Sequence, residues 1–361
     1  MTTLALIGAA HIHVPGFIKT LQARQDVKVK YVWDHDPARL AKRASELNAQ
    51  PAQTAEQVYA DKEVAAVVIC SETDRHEPLV LAAAKAKKHL FVEKPLGTGA
   101  RDAYAMSRAI EKAGVIFQTG YFLRGNPIHR FLRDHVQQGT FGNITRWRAV
   151  NAHAGALKRW FDTEWRWMTD PTQAGFGAFG DMGTHALDIM LWCLGDVQTC
   201  TATMNPGTAA YGECDETGEG LLKFRNETIG SLAAAWDDLS NPVSLLVSGT
   251  TALAVVFNNQ LYFTAEKVPG ADGKQPWTQL PAPWPHAFDL FLDAIAGKPH
   301  ADKPLVTPAE AAYNCAVMEA LYNGARAGKW VAPKRPVLRS RRQREVEVMP
   351  APSISVPEQG M

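Results

Sequence analysis

Cysteine is scarce in this chain. Five residues, Cys70, Cys193, Cys200, Cys214 and Cys315, are scattered over 361 positions with no Cys-x-x-Cys pair. An odd, widely spaced set excludes a disulfide framework and a thiolate zinc knuckle. A surplus of one charge is missing too: 38 Lys plus Arg face 37 Asp plus Glu, for a formal charge of +1. That balance excludes a globally basic nucleic-acid binder. No apolar run approaches the roughly 20 residues that span a bilayer, and Met1-Thr2-Thr3-Leu4-Ala5-Leu6-Ile7-Gly8 opens with no basic segment ahead of a long apolar one. A strict glycine period and internal repeats are also absent, and 46% of residues are hydrophobic, which excludes a collagen-like or disordered chain. These absences predict a reduced, cytoplasmic protein with no membrane or nucleic-acid partner. Its length suits two domains.

What is present falls into two halves. Leu4–Ile7, Val27–Trp33, Val64–Cys70, His89–Val92 and Val115–Thr119 are short apolar runs. Helical patterns separate them, over about 14–21, around Leu40, Ala44 and Leu47, and over 78–86 and 101–113. Strand and helix alternating at this spacing predict a doubly wound parallel sheet covered on both faces, filling residues 1–122. After that the pattern changes. Helices are expected at 127–138, 181–194, 287–296 and 308–324, with extended segments at 144–150, 219–224, 229–236, 243–248 and 253–257. Residues 123–332 therefore read as an α/β domain with a large, mostly antiparallel open sheet. Residues 333–361 form a basic, proline-containing tail.

Four stretches carry candidate chemistry. The first is the turn Gly8-Ala9-Ala10-His11-Ile12-His13, where a dinucleotide fold needs small residues so that backbone N–H groups approach a pyrophosphate. Gly8 and Ala10 meet that need, whereas His13 stands where a third glycine is usual. Asp34 follows the second apolar run and can accept from both ribose hydroxyls, which favours NAD over NADP; Arg39 nearby softens the preference. Asp36 before Pro37 reads as a helix cap. His11 and His13 make an H-x-H fragment, but with no further ligand evident no metal is expected. The second stretch is Glu93-Lys94-Pro95-Leu96, which would deliver an ammonium beyond the carboxyl end of a strand, where it can stabilise a developing alkoxide. The third is the glycine-rich segment Gly175-Phe176-Gly177-Ala178-Phe179-Gly180-Asp181-Met182-Gly183-Thr184-His185-Ala186-Leu187-Asp188. Asp181 and His185 share one helix face, as an acid–base pair requires. Lastly, Trp160, Trp165, Trp167, Trp236 and Trp284 suit the apolar faces of pyranose rings, and a core or subunit interface just as well.

In this order, the Gly8 turn, Asp34-His35-Asp36-Pro37, Glu72-Thr73-Asp74-Arg75-His76, the Glu93-Lys94-Pro95 motif, Arg124 with Pro127, Gly139–Ile144, the Asp181–Asp188 motif and Ser248-Gly249-Thr250 resemble the Gfo/Idh/MocA oxidoreductases over roughly residues 4–331. The resemblance implies a Rossmann domain followed by an α/β domain whose open sheet supports homodimers or homotetramers. It also implies NAD-dependent oxidation or reduction of a sugar, glycoside or cyclitol. By that resemblance Lys94, Asp181 and His185 are catalytic, His185 moving the proton with help from Asp181. Gly8, Ala10, His11, Ile12, Asp34, Thr73, His76, Glu93 and Lys94 attend the cofactor, and Lys94, Arg124, Trp165, Trp167, Asp181 and His185 the substrate. Two other readings accompany it: a glycoside-cleaving enzyme that cycles a tightly held NAD without net redox, and a non-catalytic NAD-binding protein.

Overall fold

A computed structural model of the chain describes residues 1–336. The expected tail lies outside the described residues from position 337 onward. In the first half, β1 (Thr2–Ala9), α1 (Val14–Ala23), β2 (Val27–Trp33), α2 (Pro37–Glu46), β3 (Gln50–Pro51), α3 (Ala55–Ala60), β4 (Ala66–Cys70), α4 (His76–Lys85), β5 (His89–Val92), α5 (Ala100–Ala113) and β6 (Phe117–Thr119) succeed one another. The strands lie side by side in the order β3-β2-β1-β4-β5-β6, every neighbouring pair parallel. Every residue of β4 is buried, as expected of a strand with helices on both faces. The order reverses between β1 and β4, and in such sheets the crevice beyond that reversal is where ligands bind. Asp36 caps α2 as expected, accepting from the Ala38 and Arg39 amides.

The second half contributes α6 (Pro127–Gln137), β7 (Ile144–Ala152), α7 (Pro171–Ala174), α8 (Ala178–Leu194), β8 (Val197–Asn205), β9 (Thr217–Phe224), β10 (Ile229–Ala235), β11 (Val243–Gly249), β12 (Ala252–Phe257), β13 (Gln260–Ala265), β14 (Asp272–Pro276), α9 (Ala287–Ile295) and α10 (Pro308–Ala327). Among the described residues these strands form one eight-stranded sheet, β14-β13-β12-β11-β7-β10-β9-β8. Only β7 and β10 run parallel; the other neighbours are antiparallel. Alternation sorts the faces: Leu222 and Phe224 of β9 are buried in the helix-backed core, while Leu221 points outward.

Several features were not legible in the sequence, the short α7 and β14 among them. The short β3 and α3 carry too few residues for a period. Helix α8 begins three residues before Asp181, because Asp215 supplies its cap from a distant loop: the Phe179 amide donates to Asp215 Oδ2 at 2.8 Å and the Ala178 amide to Asp215 O at 2.8 Å. The chain also returns to its first domain. Phe288 and Phe291 of α9 pack with Phe17 and Phe91, the Phe91–Phe288 ring centres being 5.0 Å apart. Burying each such ring contributes about 1.5–3 kcal/mol. Ala312, Cys315 and Ala316 of α10 lie in one core with Leu96 and Ala103. The turn after β5 is thereby anchored by α10, which fixes the position of Lys94.

Candidate active site

The site is assembled where β1, β4 and β5 end. Gly8 closes β1 with φ +69°, and a Cβ there would lie 2.5 Å from Ser71 Cβ, so only glycine lets the β1–α1 turn press against the β4 loop. His11 then turns inward and is 3% exposed. Burial pushes its imidazole down to about 3, so it is uncharged at neutral pH. Ala10 is buried, and its carbonyl accepts from the Trp167 indole N–H at 3.0 Å. Ile12 packs in the same apolar cluster as Ala10 and Trp167. The 156–168 segment therefore sits directly on the turn.

Asp34 stands at the end of β2, where the sequence placed it. Its Oδ2 accepts from the Ala9 amide at 2.7 Å and from Arg39 Nε at 2.7 Å; its Oδ1 accepts from the Asp36 amide at 2.8 Å and from Arg39 Nη2 at 2.9 Å. Arg39 Nη2 also reaches Glu72 Oε1 at 2.9 Å, and the buried Glu72 Oε2 has no hydrogen-bond partner among the described residues, lying 3.6 Å from Arg75 Nε. This end of the crevice fits a dinucleotide in its glycine floor, which a Cβ would fill, and in the acid at the end of β2, where such folds hold a ribose; two of the four hydrogen bonds that acid accepts come from Arg39. Arg39 shares that acid, so any ribose held here shares it too.

Glu93 and Lys94 follow β5. Glu93 is fully buried; its Oε2 accepts from the Lys94 amide at 2.8 Å and its Oε1 lies 3.0 Å from His13 Nδ1. Burial raises the Glu93 carboxyl, but His11, His13 and Lys94 outweigh it and hold the group well below the usual carboxylate range. Lys94 Nζ donates to Asp181 Oδ1 at 2.5 Å, and Trp236 Nε1 donates to Asp181 Oδ2 at 3.0 Å. Asp181 is held as an anion: burial pushes it up, and the adjacent Lys94 more than reverses this. Thr73, His11, Lys94, Trp167 and Asp181 line one narrow cleft between the domains.

His185 is 4% exposed, one helical turn beyond Asp181, against Phe122 with ring centres 4.9 Å apart. Burial, reinforced by Lys94, lowers its basicity well below that of free histidine. Its Nδ1 is buried and has no hydrogen-bond partner among the described residues. No hydrogen bond joins Asp181 to His185 among the described residues, since the Asp181 oxygens accept from Lys94 and Trp236. The tryptophan was legible only as one of ten; its pairing with Asp181 was not.

Other expected residues are placed elsewhere. His76 is buried with Nδ1 3.1 Å from Leu96 O and Nε2 3.3 Å from Ser71 O, so it ties the β4 and β5 loops together. Arg124 is drawn away from the cluster: Nε and Nη2 donate to the Asp188 carboxylate at 2.8 and 2.7 Å, and Nη1 donates to Glu310 at 3.0 Å. Trp165 packs in the cluster with Trp167, its indole N–H buried without a partner among the described residues.

Comparison with known proteins bears on the family and the fold. The family model described as oxidoreductase family, NAD-binding Rossmann fold, matches residues 2–121, and the GFO/IDH/MocA C-terminal domain model matches residues 129–255. Levoglucosan dehydrogenase of Pseudarthrobacter phenanthrenivorans is 23% identical over 222 residues, covering 55% of this chain and 56% of that one. Myo-inositol 2-dehydrogenase of Thermotoga maritima is 33% identical over 136 residues, 38% of each chain. The chain thus spans about half, or less, of the length of these curated relatives. Among solved structures, levoglucosan dehydrogenase in complex with NADH and levoglucosan superposes with a TM-score of 0.73 at 18% identity, over 92% of this chain and 100% of that one. The WlbA dehydrogenase of Chromobacterium violaceum, with NADH and UDP-GlcNAcA, gives 0.76 at 20% identity, over 92% and 96%. No helix of the described residues is long and apolar enough to cross a membrane. With both of its domains matched in order, the chain belongs to the Gfo/Idh/MocA oxidoreductase family.

Proposed function

We propose that the chain transfers hydride between a ring hydroxyl or ketone of a sugar, glycoside or cyclitol and NAD. The observation that carries this reading is the buried, unpartnered Nδ1 of an uncharged His185 beside the Lys94–Asp181 ion pair. Gly8, Ala10, Ile12 and Asp34 would hold the dinucleotide at the end of the crevice, with Thr73, Glu93 and Lys94 toward its reactive ring. When bound, NAD supplies the carbon that accepts or returns hydride.

The chain's own groups then divide the work. An uncharged imidazole with a free lone pair accepts a hydroxyl proton in the oxidising direction and returns it to an alkoxide in the other. Lys94 offers N–H donors to that oxygen, and in a cleft shielded from water such a fixed cation favours the more anionic transition state. Asp181 holds Lys94 in place and Trp236 holds Asp181. Trp167, anchored on Ala10, keeps water from this contact and offers an apolar face to a ring. The same reading makes the chain a homodimer or homotetramer, supported by the outward-facing Leu221, Ile229, Leu253 and Phe257 on the open sheet.

The test is to follow reduced nicotinamide with purified enzyme, NAD or NADP, and a panel of sugars, glycosides and cyclitols. Formation of NADH with one polyol, abolished in Lys94→Met and His185→Asn variants that still fold and bind NAD, is expected. Release of an aglycone with no nucleotide turnover would overturn net oxidation and favour redox-assisted cleavage.

A further inference from the structure

The mechanism gives no task to His13 and assigns His11 and Glu93 only a place near the cofactor. Yet the fold gathers all three at one point. His13 Nδ1 lies 3.0 Å from Glu93 Oε1, and His11 Nδ1 lies 4.0 Å from the same oxygen. One donor atom from each residue falls within 4.8 Å of the others. Two ligands each about 2.0–2.2 Å from one zinc ion stand about 3–4 Å apart at ordinary bond angles. The two spacings to Glu93 Oε1 fall in that range.

Two features set this cluster apart from a chance meeting of side chains. Glu93 is 0% exposed and His11 3%, so two of the three members have been taken out of water at a cost that hydrogen bonds inside the cluster only partly offset. His13 also stands where this kind of turn packs best with glycine, so a bulky imidazole there sacrifices close helix–strand packing. The polar contacts around the cluster are few. The His13 amide makes a long 3.3 Å contact with His11 Nδ1, and Glu93 Oε2 is spent on the Lys94 amide at 2.8 Å. Oε1 faces the two imidazoles.

We infer that His11, His13 and Glu93 form a binding site for a divalent first-row transition metal at the β1–α1 turn. Two imidazoles and one carboxylate are the donor set that zinc, manganese, cobalt and iron(II) share, and three protein ligands leave coordination positions open. His11 and His13 are two apart in sequence, on the turn, while Glu93 arrives from the end of β5, 80 residues after His13. This is why the sequence shows two ligands and the fold three. The site goes beyond hydride transfer and does not depend on it.

Cobalt(II) is the probe. The full-length protein, with whatever nucleotide it carries, is stripped with chelator, dialysed, and titrated with Co2+ while visible d–d absorption is recorded. One equivalent per chain is expected, displaced by Zn2+, with affinity at least about tenfold weaker in His13→Ala and in Glu93→Gln. His13 is about one-third exposed on its side chain, at 35%, so its alanine variant tests the site even where the buried variants fail to fold. Wild-type protein that takes up no Co2+ or Zn2+ overturns the inference, as does a His13→Ala variant of undiminished affinity. The readout needs no turnover, so a failed titration leaves the hydride-transfer reading standing, and an inactive enzyme that binds cobalt leaves the metal site standing.

Discussion

Replacing Asp181 with asparagine isolates the ion pair on which the site's electrostatics rest. The carboxamide of the Asp181→Asn variant would still offer an oxygen to the Trp236 indole, so the packing survives and only the charge facing Lys94 is lost. The Lys94 side chain is 3% exposed and that of Asp181 15%, which places the cation in surroundings that water scarcely reaches. Removing one partner of such a buried pair costs about 3–5 kcal/mol, because the other charge is left uncompensated. The partial exposure of Asp181 points to the lower end, about 3 kcal/mol. For a cooperative unit of about 150–250 residues, each kcal/mol moves the melting temperature by about 2–4 °C, so a fall of about 6–12 °C is expected. Thermal melts of wild type, Asp181→Asn, Lys94→Met and the double variant are the assay. The double variant should recover most of the loss, since no charge remains stranded. An Asp181→Asn melting temperature within about 1 °C of wild type would show that the pair contributes nothing, and the reasoning about a shielded cation would fall with it.

Arg124→Ala should lower stability by about 3–5 kcal/mol while changing the KM for the polyol by less than about twofold, since the guanidinium serves Asp188 and Glu310; a tenfold rise in KM at unchanged melting temperature would instead return Arg124 to the substrate. Arg39→Ala releases Asp34, so the preference for NAD over NADP in titrations should grow by about tenfold, the worth of one charge-assisted hydrogen bond; a shift toward NADP would contradict this. Burial lowers His76 and His129 below the ordinary 6.5, and the unfolded chain therefore takes up these protons first. Stability from these groups is present above about pH 6.5 and is lost as pH falls below it, so melting temperatures should decline toward about pH 5, less steeply in His129→Asn. A flat profile would contradict the burial argument.

Much of this architecture was written in local pattern. The first sheet was legible because β4 and β5 are continuous apolar runs, as strands covered on both faces must be. The lysine turn and the Asp181–His185 helix were legible because a strand end and a helical face constrain a few adjacent residues. What escaped the sequence depends on contacts between distant segments. Asp215 caps α8, Trp236 holds Asp181, Glu93 meets His13, and α9 returns to the first core; no local period encodes any of these. Arg124 shows the converse, for a family pattern singled the residue out, while its ion pairs with Asp188 and Glu310 emerged only from the fold. Asp34 sat where the second strand predicted, yet its bidentate partner Arg39 was visible only as a neighbour in sequence.

The central claim is that Lys94 and His185 serve hydride transfer to a bound nicotinamide, and a single-turnover experiment tests it most directly. Enzyme loaded with one equivalent of NAD is mixed with excess polyol, and the absorbance of reduced nicotinamide is followed. The account predicts a step equal to one nicotinamide per chain, suppressed in Lys94→Met and His185→Asn variants that fold and still bind NAD. A step of full size and rate in both variants, or no step while the polyol is consumed and oxidised, would contradict it.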